Sequence, residues 1–145
     1  MKLYFDTSVL VAFAVRGHTQ HAAAYTAVET MVDGNHDAYA SSHGLAEFYA
    51  VLTRTPFRPP VYPTEVWQIL EESILPYFTL VTLTGKDYQN VLRESSIRGW
   101  TGGRIYDMLH LRCAQKERCE RIYTLNVRHF RDLAPAGLAE RVCVP

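Results

Sequence analysis

The sequence predicts an α/β fold in which a mostly parallel sheet of four to five strands is covered by helices on both faces. Two observations carry this. Short apolar runs of strand length alternate with longer stretches of helical spacing, from Leu3-Tyr4-Phe5 at the start to Val142-Cys143-Val144 at the end. Strands separated by helices pair in parallel. The first run also ends on a carboxylate, Asp6, ahead of Thr7, Ser8 and a second apolar run from Val9. That places Asp6 at the carboxyl end of a strand and just before a helix, the edge where open α/β sheets bind ligands.

The elements follow in order. Leu3 to Phe5 has the aromatic and apolar content of a strand. Thr7 and Ser8 are N-cap candidates for a short helix through Val15, which Gly17 ends. His18 to Val32 carries Tyr25, Val28 and Val32 at helical spacing, and Gly34-Asn35 is a stop. Ala38-Tyr39-Ala40 is a short second strand, and Ser41-Ser42 caps a helix from His43 to Arg54. Thr55 to Pro63 holds four of the seven prolines and cannot be helical throughout, because proline lacks the N–H and restrains its predecessor. A helix over Thr64 to Leu75 follows, so residues 43–75 read as a hairpin-like helical projection. Tyr77 to Leu83 is a third strand, and Thr84 caps a helix from Lys86 to Ile97. A glycine-rich break over Gly99 to Gly103 precedes a helix from Arg104 to Glu117, with Asp107 in its first turn. Arg121 to Leu125 is a fourth strand, Asn126 starts a helical turn through Phe130, and Val142 to Val144 is a last strand. No repeat or linker divides the chain, so residues 1–145 read as a single domain.

Composition narrows the function classes. Fifteen basic and fifteen acidic residues give zero net charge, which argues against holding nucleic acid by bulk positive charge and leaves room for a local basic rim. No apolar run approaches the ~20 residues that span a bilayer. The chain enters a strand directly, without the apolar core of a signal peptide, so the expected location is cytoplasmic and no membrane partner is expected. Cys113, Cys119 and Cys143 form no CxxC pair, and the six histidines show no HExxH spacing. Neither a Walker loop nor a GxGxxG motif is present.

Four residues stand out chemically. Asp107 heads an apolar stripe through Leu111 and Ala114, and an inward carboxylate is costly unless paired or bound to a cation. Backbone amides at the helix start offer it a purely structural role. Glu47 shares a face with His43, Val51 and Arg54, which also describes a solvated helix flank. Asp6 follows a strand, where a carboxylate also serves as a cap. Asn126 is most simply an N-cap. Together these four could point at one sheet edge. Hard divalent cations want such oxygen ligands, and Mg²⁺ uses one or two carboxylates while keeping several waters.

At this point the chain resembles the PIN-domain ribonucleases, and most closely the VapC-type toxins of toxin–antitoxin pairs. The matching stretches are Leu3-Tyr4-Phe5-Asp6-Thr7-Ser8-Val9-Leu10, Ser41 to Arg54 around Glu47, Gly103-Arg104-Ile105-Tyr106-Asp107-Met108-Leu109-His110-Leu111, and Thr124-Leu125-Asn126-Val127-Arg128-His129-Phe130. The resemblance implies a three-layer α/β/α sandwich and a metal-dependent endoribonuclease that hydrolyses phosphodiester bonds in tRNA or rRNA. It implies Asp6, Glu47 and Asp107 as metal ligands, with Mg²⁺ as the ion and Mn²⁺ as an alternative. Asn126 stands where many members carry a fourth acidic residue; it offers an amide oxygen but no charge. Thr7, Ser8 and Thr124 match hydroxyl positions that line the site. One firmly bound Mg²⁺ is expected, with a second arriving only with the RNA phosphate.

Arg54, Arg98, Arg104, Arg112 and Arg128 are candidates for a basic rim, and Trp100 and Tyr106 for stacking on a splayed base. The resemblance also implies a cognate antitoxin, which would bring an Arg to the acidic site, and a homodimer. Phe48, Phe57, Trp67 and Leu70 are the candidate lining of the antitoxin groove. Two other readings are a PIN-like nuclease with an RNA-processing role and a non-catalytic PIN-fold interaction module, for which Asn126 would be the sign of lost catalysis.

Overall fold

The computed structural model describes residues 1–145. Five strands form one sheet: β1 (Lys2–Phe5), β2 (Asp37–Ser41), β3 (Phe78–Val81), β4 (Arg121–Tyr123) and β5 (Val142–Cys143). Their order is β3-β2-β1-β4-β5 and every pair is parallel, so the sheet is wholly rather than mostly parallel. In register, Leu3 faces Ala38 on one side and Arg121 on the other, and Tyr4 faces Tyr39 and Ile122.

Seven α-helices cover the sheet: α1 (Thr7–Ala14), α2 (His21–Asp33), α3 (Ser42–Arg54), α4 (Pro63–Ile69), α5 (Gly85–Arg98), α6 (Arg104–Lys116) and α7 (Val127–Leu133). Side chains alternate along β1 and so divide between two cores. Leu3 and Phe5 join the cluster with Val9, Leu10, Val28, Phe48, Leu52 and Ile74, beneath α1 to α4. Tyr4 joins the cluster with Val91, Met108, Leu111, Ile122 and Phe130, beneath α5 to α7. This is the three-layer arrangement the resemblance implies.

Several boundaries differ from expectation, each for a local reason. Asp6 rather than Thr7 or Ser8 caps α1, because its side chain accepts from the Val9 amide. The stretch expected as one helix over Thr64 to Leu75 is α4 running into a π-helical turn, Leu70–Ile74. Strands β3 and β4 are shorter than expected. Beyond Tyr123, Thr124 and Leu125 turn into the loop that begins α7. Ser41 and Thr84 do cap α3 and α5, and Gly99 ends α5 with φ +70°.

Strand order fixes where a ligand binds. The chain moves outward from β1 through β2 to β3, then crosses back to pair β4 on the other side of β1. The carboxyl ends of β1 and β4 therefore flank a switch point, where the covering elements diverge and leave a crevice.

Candidate functional site

Asp6 lies at that crevice, only 3% exposed, and both of its oxygens are held. Its Oδ1 accepts from the Ser8 hydroxyl at 2.5 Å and the Val9 amide at 3.2 Å, while Oδ2 accepts from the Thr124 hydroxyl at 2.7 Å. Those hydroxyls are fixed in turn: Ser8 accepts from the Leu125 amide and Thr124 from the Asn126 amide, each at 3.0 Å. The ends of β1 and β4 are thus tied together through one carboxylate. Thr7 faces the other way, with its hydroxyl 3.4 Å from the Gly44 carbonyl and 3.3 Å from His110 Nε2.

Glu47 reaches the same crevice from α3. His110, 3% exposed within α6, lies with Nε2 at 3.0 Å from Glu47 Oε1 and Nδ1 at 2.7 Å from the Tyr4 hydroxyl. Burial pushes the Tyr4 phenol well above its ordinary range, so it stays neutral. Burial alone would raise the Glu47 carboxyl, but the hydrogen bond from His110 leads the effects that outweigh it and hold the group below its ordinary value. His43 Nε2 sits 3.5 Å from the same Oε1. Burial and the neighbouring His110 push its imidazole down to about 4 against the pull of Glu47, so it is neutral at neutral pH.

Gly44 makes this approach of α3 feasible. A Cβ there would lie 2.6 Å from Ser41 Oγ and 3.0 Å from Thr7 Oγ1, inside contact distance.

Asp107 completes the acidic set and is unlike the others, since its half-buried carboxylate makes no hydrogen bond or ion pair within the protein. Burial raises its carboxyl, and the Asp6 charge adds to that; His110 and His129 pull the other way by less, and Glu47 adds the smallest push upward. Asp6, Thr7, Ser8, Glu47, Asp107 and Asn126 all line one cavity of about 380 Å³. Asn126 is exposed at the start of α7, but its side chain makes no capping bond, so the amide is left to the cavity rather than spent on the helix. This donor set fits a hard divalent cation: all its charged ligands are oxygens, and one carboxylate has neither a hydrogen-bond nor an ion-pair partner.

The expected rim is only partly there. Arg54, Arg104 and Arg128 are exposed and unpaired, and Arg128 lies beside Asn126 on a small surface hollow. Arg98 is half spent on Glu94 at 3.3 Å and lies over the Trp100 ring at 5.1 Å. Arg112 is a correction. Its guanidinium donates to Asp87 Oδ1 at 2.9 Å and to Gln115, so it braces α5 against α6 instead of facing the crevice. Phe48 and Leu70 are also corrections, since both are buried core residues and line no groove.

Sequence reasoning missed His110 and His18. His18 lines both the acidic cavity and an adjoining hollow of about 700 Å³ floored by Leu52, Phe57, Val61 and Ile69 and flanked by Arg16 and Arg58. The only sequence signal for His110 is a polar residue three positions after Asp107, flanked by Met108, Leu109 and Leu111.

Comparison with known proteins agrees with this geometry. A family profile described as "PIN domain" matches residues 3–135. The chain is 35% identical to Ribonuclease VapC27 of Mycobacterium tuberculosis over 120 residues, covering 81% of this chain and 80% of that protein. Among solved structures it is similar to Mycobacterium tuberculosis VapC20, described as a sarcin-ricin loop cleaving toxin, with TM-score 0.65, 15% identity, and 86% and 89% of the two chains covered. It is also similar to VapBC2 from Rickettsia felis bound to a promoter DNA fragment, with TM-score 0.63, 20% identity and coverage of 91% and 92%. FitAcB from Neisseria gonorrhoeae gives 0.62 at 18% identity, covering 91% and 94%. The chain belongs to the PIN-domain family, with the VapC-type ribonucleases.

Proposed function

We propose that this chain is a divalent-metal-dependent endoribonuclease that acts as the toxin of a toxin–antitoxin pair. The observation that carries the reading is Asp107, a half-buried carboxylate without a donor, opposite a fully oriented Asp6 at the sheet's switch point. A site with that much uncompensated negative charge is poised for a cation, and Asp6, Glu47 and Asp107 would hold it. Mg²⁺ is the first candidate and Mn²⁺ the second. Such an ion supplies positive charge against a phosphoryl oxygen and makes water a better nucleophile at neutral pH.

The chain's own residues do the rest. Ser8, Thr124 and the Val9 amide keep Asp6 in one orientation, so no reorganisation is needed when charge builds on the phosphate. His110 and Tyr4 do the same for Glu47. Thr7 ties the start of α1 to α3, and the exposed Asn126 amide adds a neutral acceptor or donor at the cavity mouth. Arg54, Arg104 and Arg128, with Arg16 and Arg58 by the adjoining hollow, would hold the flanking RNA phosphates. Trp100 already carries Arg98 on one face, so base stacking there would compete with that contact.

The similar Rickettsia felis structure is described as VapBC2 bound to a DNA fragment from their promoter. On this reading an antitoxin segment would lie in the hollow beside Phe57, and an Arg from it would neutralise the acidic cavity. Homodimerisation is part of the same reading. In the structure, no helix is long and apolar enough to cross a membrane.

The test is cleavage of a mixed tRNA and rRNA pool with Mg²⁺, Mn²⁺ or chelator, beside Asp107→Asn. Discrete cuts that need metal and vanish in the variant support the reading. Equal behaviour of both proteins, indifferent to chelator, would sink it and leave a non-catalytic module in its place.

A further inference from the structure

We infer that His43, Glu47 and His110 form a second, nitrogen-rich site for a borderline transition ion of the Zn²⁺ class, sharing Glu47 with the hard-ion site. One ligand atom from each of the three lies within 4.8 Å of the others. Two of the separations are 3.0 Å (His110 Nε2 to Glu47 Oε1) and 3.5 Å (His43 Nε2 to the same oxygen). Ligands at the ~2.0–2.1 Å bond lengths of Zn²⁺ to nitrogen and oxygen, in tetrahedral arrangement, stand roughly 3.3 Å apart. The two separations to Glu47 lie on either side of that value, and the two imidazoles stand within 4.8 Å of each other, so an ion would draw the rings together by side-chain rotation alone.

Ligand chemistry separates the two sites. Asp6 and Asp107 offer oxygen alone, which suits Mg²⁺. Two imidazoles and a carboxylate suit Zn²⁺, Co²⁺ or Ni²⁺, which rank above the hard ions for nitrogen donors.

His110 already has the outer support that a metal-bound imidazole requires, in which the far ring nitrogen is held by an oxygen. His110 Nδ1 lies 2.7 Å from the buried Tyr4 hydroxyl. A hydroxyl can donate or accept. In one tautomer Tyr4 donates to Nδ1 and Nε2–H donates to Glu47. With an ion bound, Nδ1–H donates to the Tyr4 oxygen, and the Tyr4 O–H turns to donate a hydrogen bond to Ser41 or Cys113, both within its reach. The same hydroxyl network therefore serves both tautomers, and no buried polar atom is orphaned in either. Glu47 and His110 also line the open cavity, which gives an ion its way in.

The consequence is a competition. An ion held by the imidazoles draws Glu47 away from Asp6 and Asp107, so low concentrations of Zn²⁺ should inhibit Mg²⁺-dependent cleavage. That consequence rests on the nuclease reading, whereas the binding itself does not.

The experiment uses chelator-stripped full-length protein. Co²⁺ is titrated with visible absorption as the readout, Zn²⁺ by calorimetry, in wild type, His43→Ala and Asp107→Asn. We expect one Co²⁺ or Zn²⁺ per chain in wild type and in Asp107→Asn, and binding weakened ~10–100-fold in His43→Ala. The Mg²⁺-dependent cleavage that His43→Ala retains should no longer be inhibited by Zn²⁺. His43 is not fully buried, so this variant retains the fold; a melting curve checks it. If Asp107→Asn abolishes binding and His43→Ala does not, the ion sits among the carboxylates and the inference is overturned. If neither ion binds wild type, it is overturned as well. If binding depends on His43 but no metal yields cleavage, the nitrogen-rich site stands and the nuclease reading falls.

Discussion

Replacing Thr124 with Val tests whether the site depends on a pre-oriented Asp6. Thr124 is fully buried and its hydroxyl donates to Asp6 Oδ2 at 2.7 Å. Val keeps the shape and the β-branch, so the strand end should not change. What is lost is a hydrogen bond to an ionised group, about 1.5–3 kcal/mol. A buried methyl in place of the hydroxyl returns roughly 0.8 kcal/mol. The Asn126 amide also loses its acceptor, but Asn126 is exposed and water can replace it. The net cost is about 1–2 kcal/mol, which for a chain of this size lowers Tm by roughly 3–8 °C. Denaturant melts at neutral pH read the stability, and metal-dependent RNA cleavage should fall ~10–100-fold, as when any outer support of a metal ligand is removed. The same substitution in an Asp6→Asn background should cost less, because the acceptor is no longer charged. The coupling should be on the order of 1 kcal/mol. Thr124→Val with wild-type stability and cleavage, and strict additivity with Asp6→Asn, would show that the hydroxyl does nothing for Asp6.

Three further outcomes are expected. The Asp107 carboxyl titrates above its unfolded value, so its charge costs stability at neutral pH and that cost disappears as pH falls through the raised folded value. Asp107→Asn should therefore match or exceed wild type in a chelator melt, while Mg²⁺ should raise the Tm of wild type alone. At Asp87 the sign reverses: the Thr84 amide, then Lys116 and Arg112, hold the carboxyl far below its ordinary range. Asp87→Asn should cost about 1–2 kcal/mol in neutral denaturant melts, from the lost charge on its bonds to the partly exposed Arg112 and Lys116, while Thr84 goes on capping α5. The gap to wild type should begin to narrow near pH ~4, where the unfolded-state carboxyl protonates, and close only as pH falls through the depressed folded value. Gly44→Ala sets a ~1 kcal/mol gain in helix propensity against a Cβ 2.6 Å from Ser41 Oγ, which cannot retreat because it caps α3 through the Gly44 amide. Overpacking wins by ~1–3 kcal/mol, and circular dichroism melts with a parallel cleavage assay should show both stability and activity fall.

What could be read from the sequence, and what could not, is clearest in the two aspartates that open helices. Asp107 and Asp87 look alike locally: each stands in the first turn of a helix after a turn signal, and each has a structural role available at the backbone amides. The structure separates them by long-range partners. Asp87 closes a capping box with Thr84 and binds Arg112 and Lys116, whereas Asp107 has no partner at all. Those cations come from α6, 25 and 29 residues further on, so no local pattern reveals them, and Arg112 was assigned to the rim for that reason. His110 was missed on the same grounds, since its partners Tyr4 and Glu47 lie 106 and 63 residues away. Asp6 was legible because its signal is local, an apolar strand ending on a carboxylate, and sheet topology then dictates what that edge is for. The distinguishing mark of the site is therefore a missing partner: a fold that satisfies Asp87 three times over leaves Asp107 bare beside a second carboxylate. Such an arrangement costs stability, and a bound cation relieves that cost.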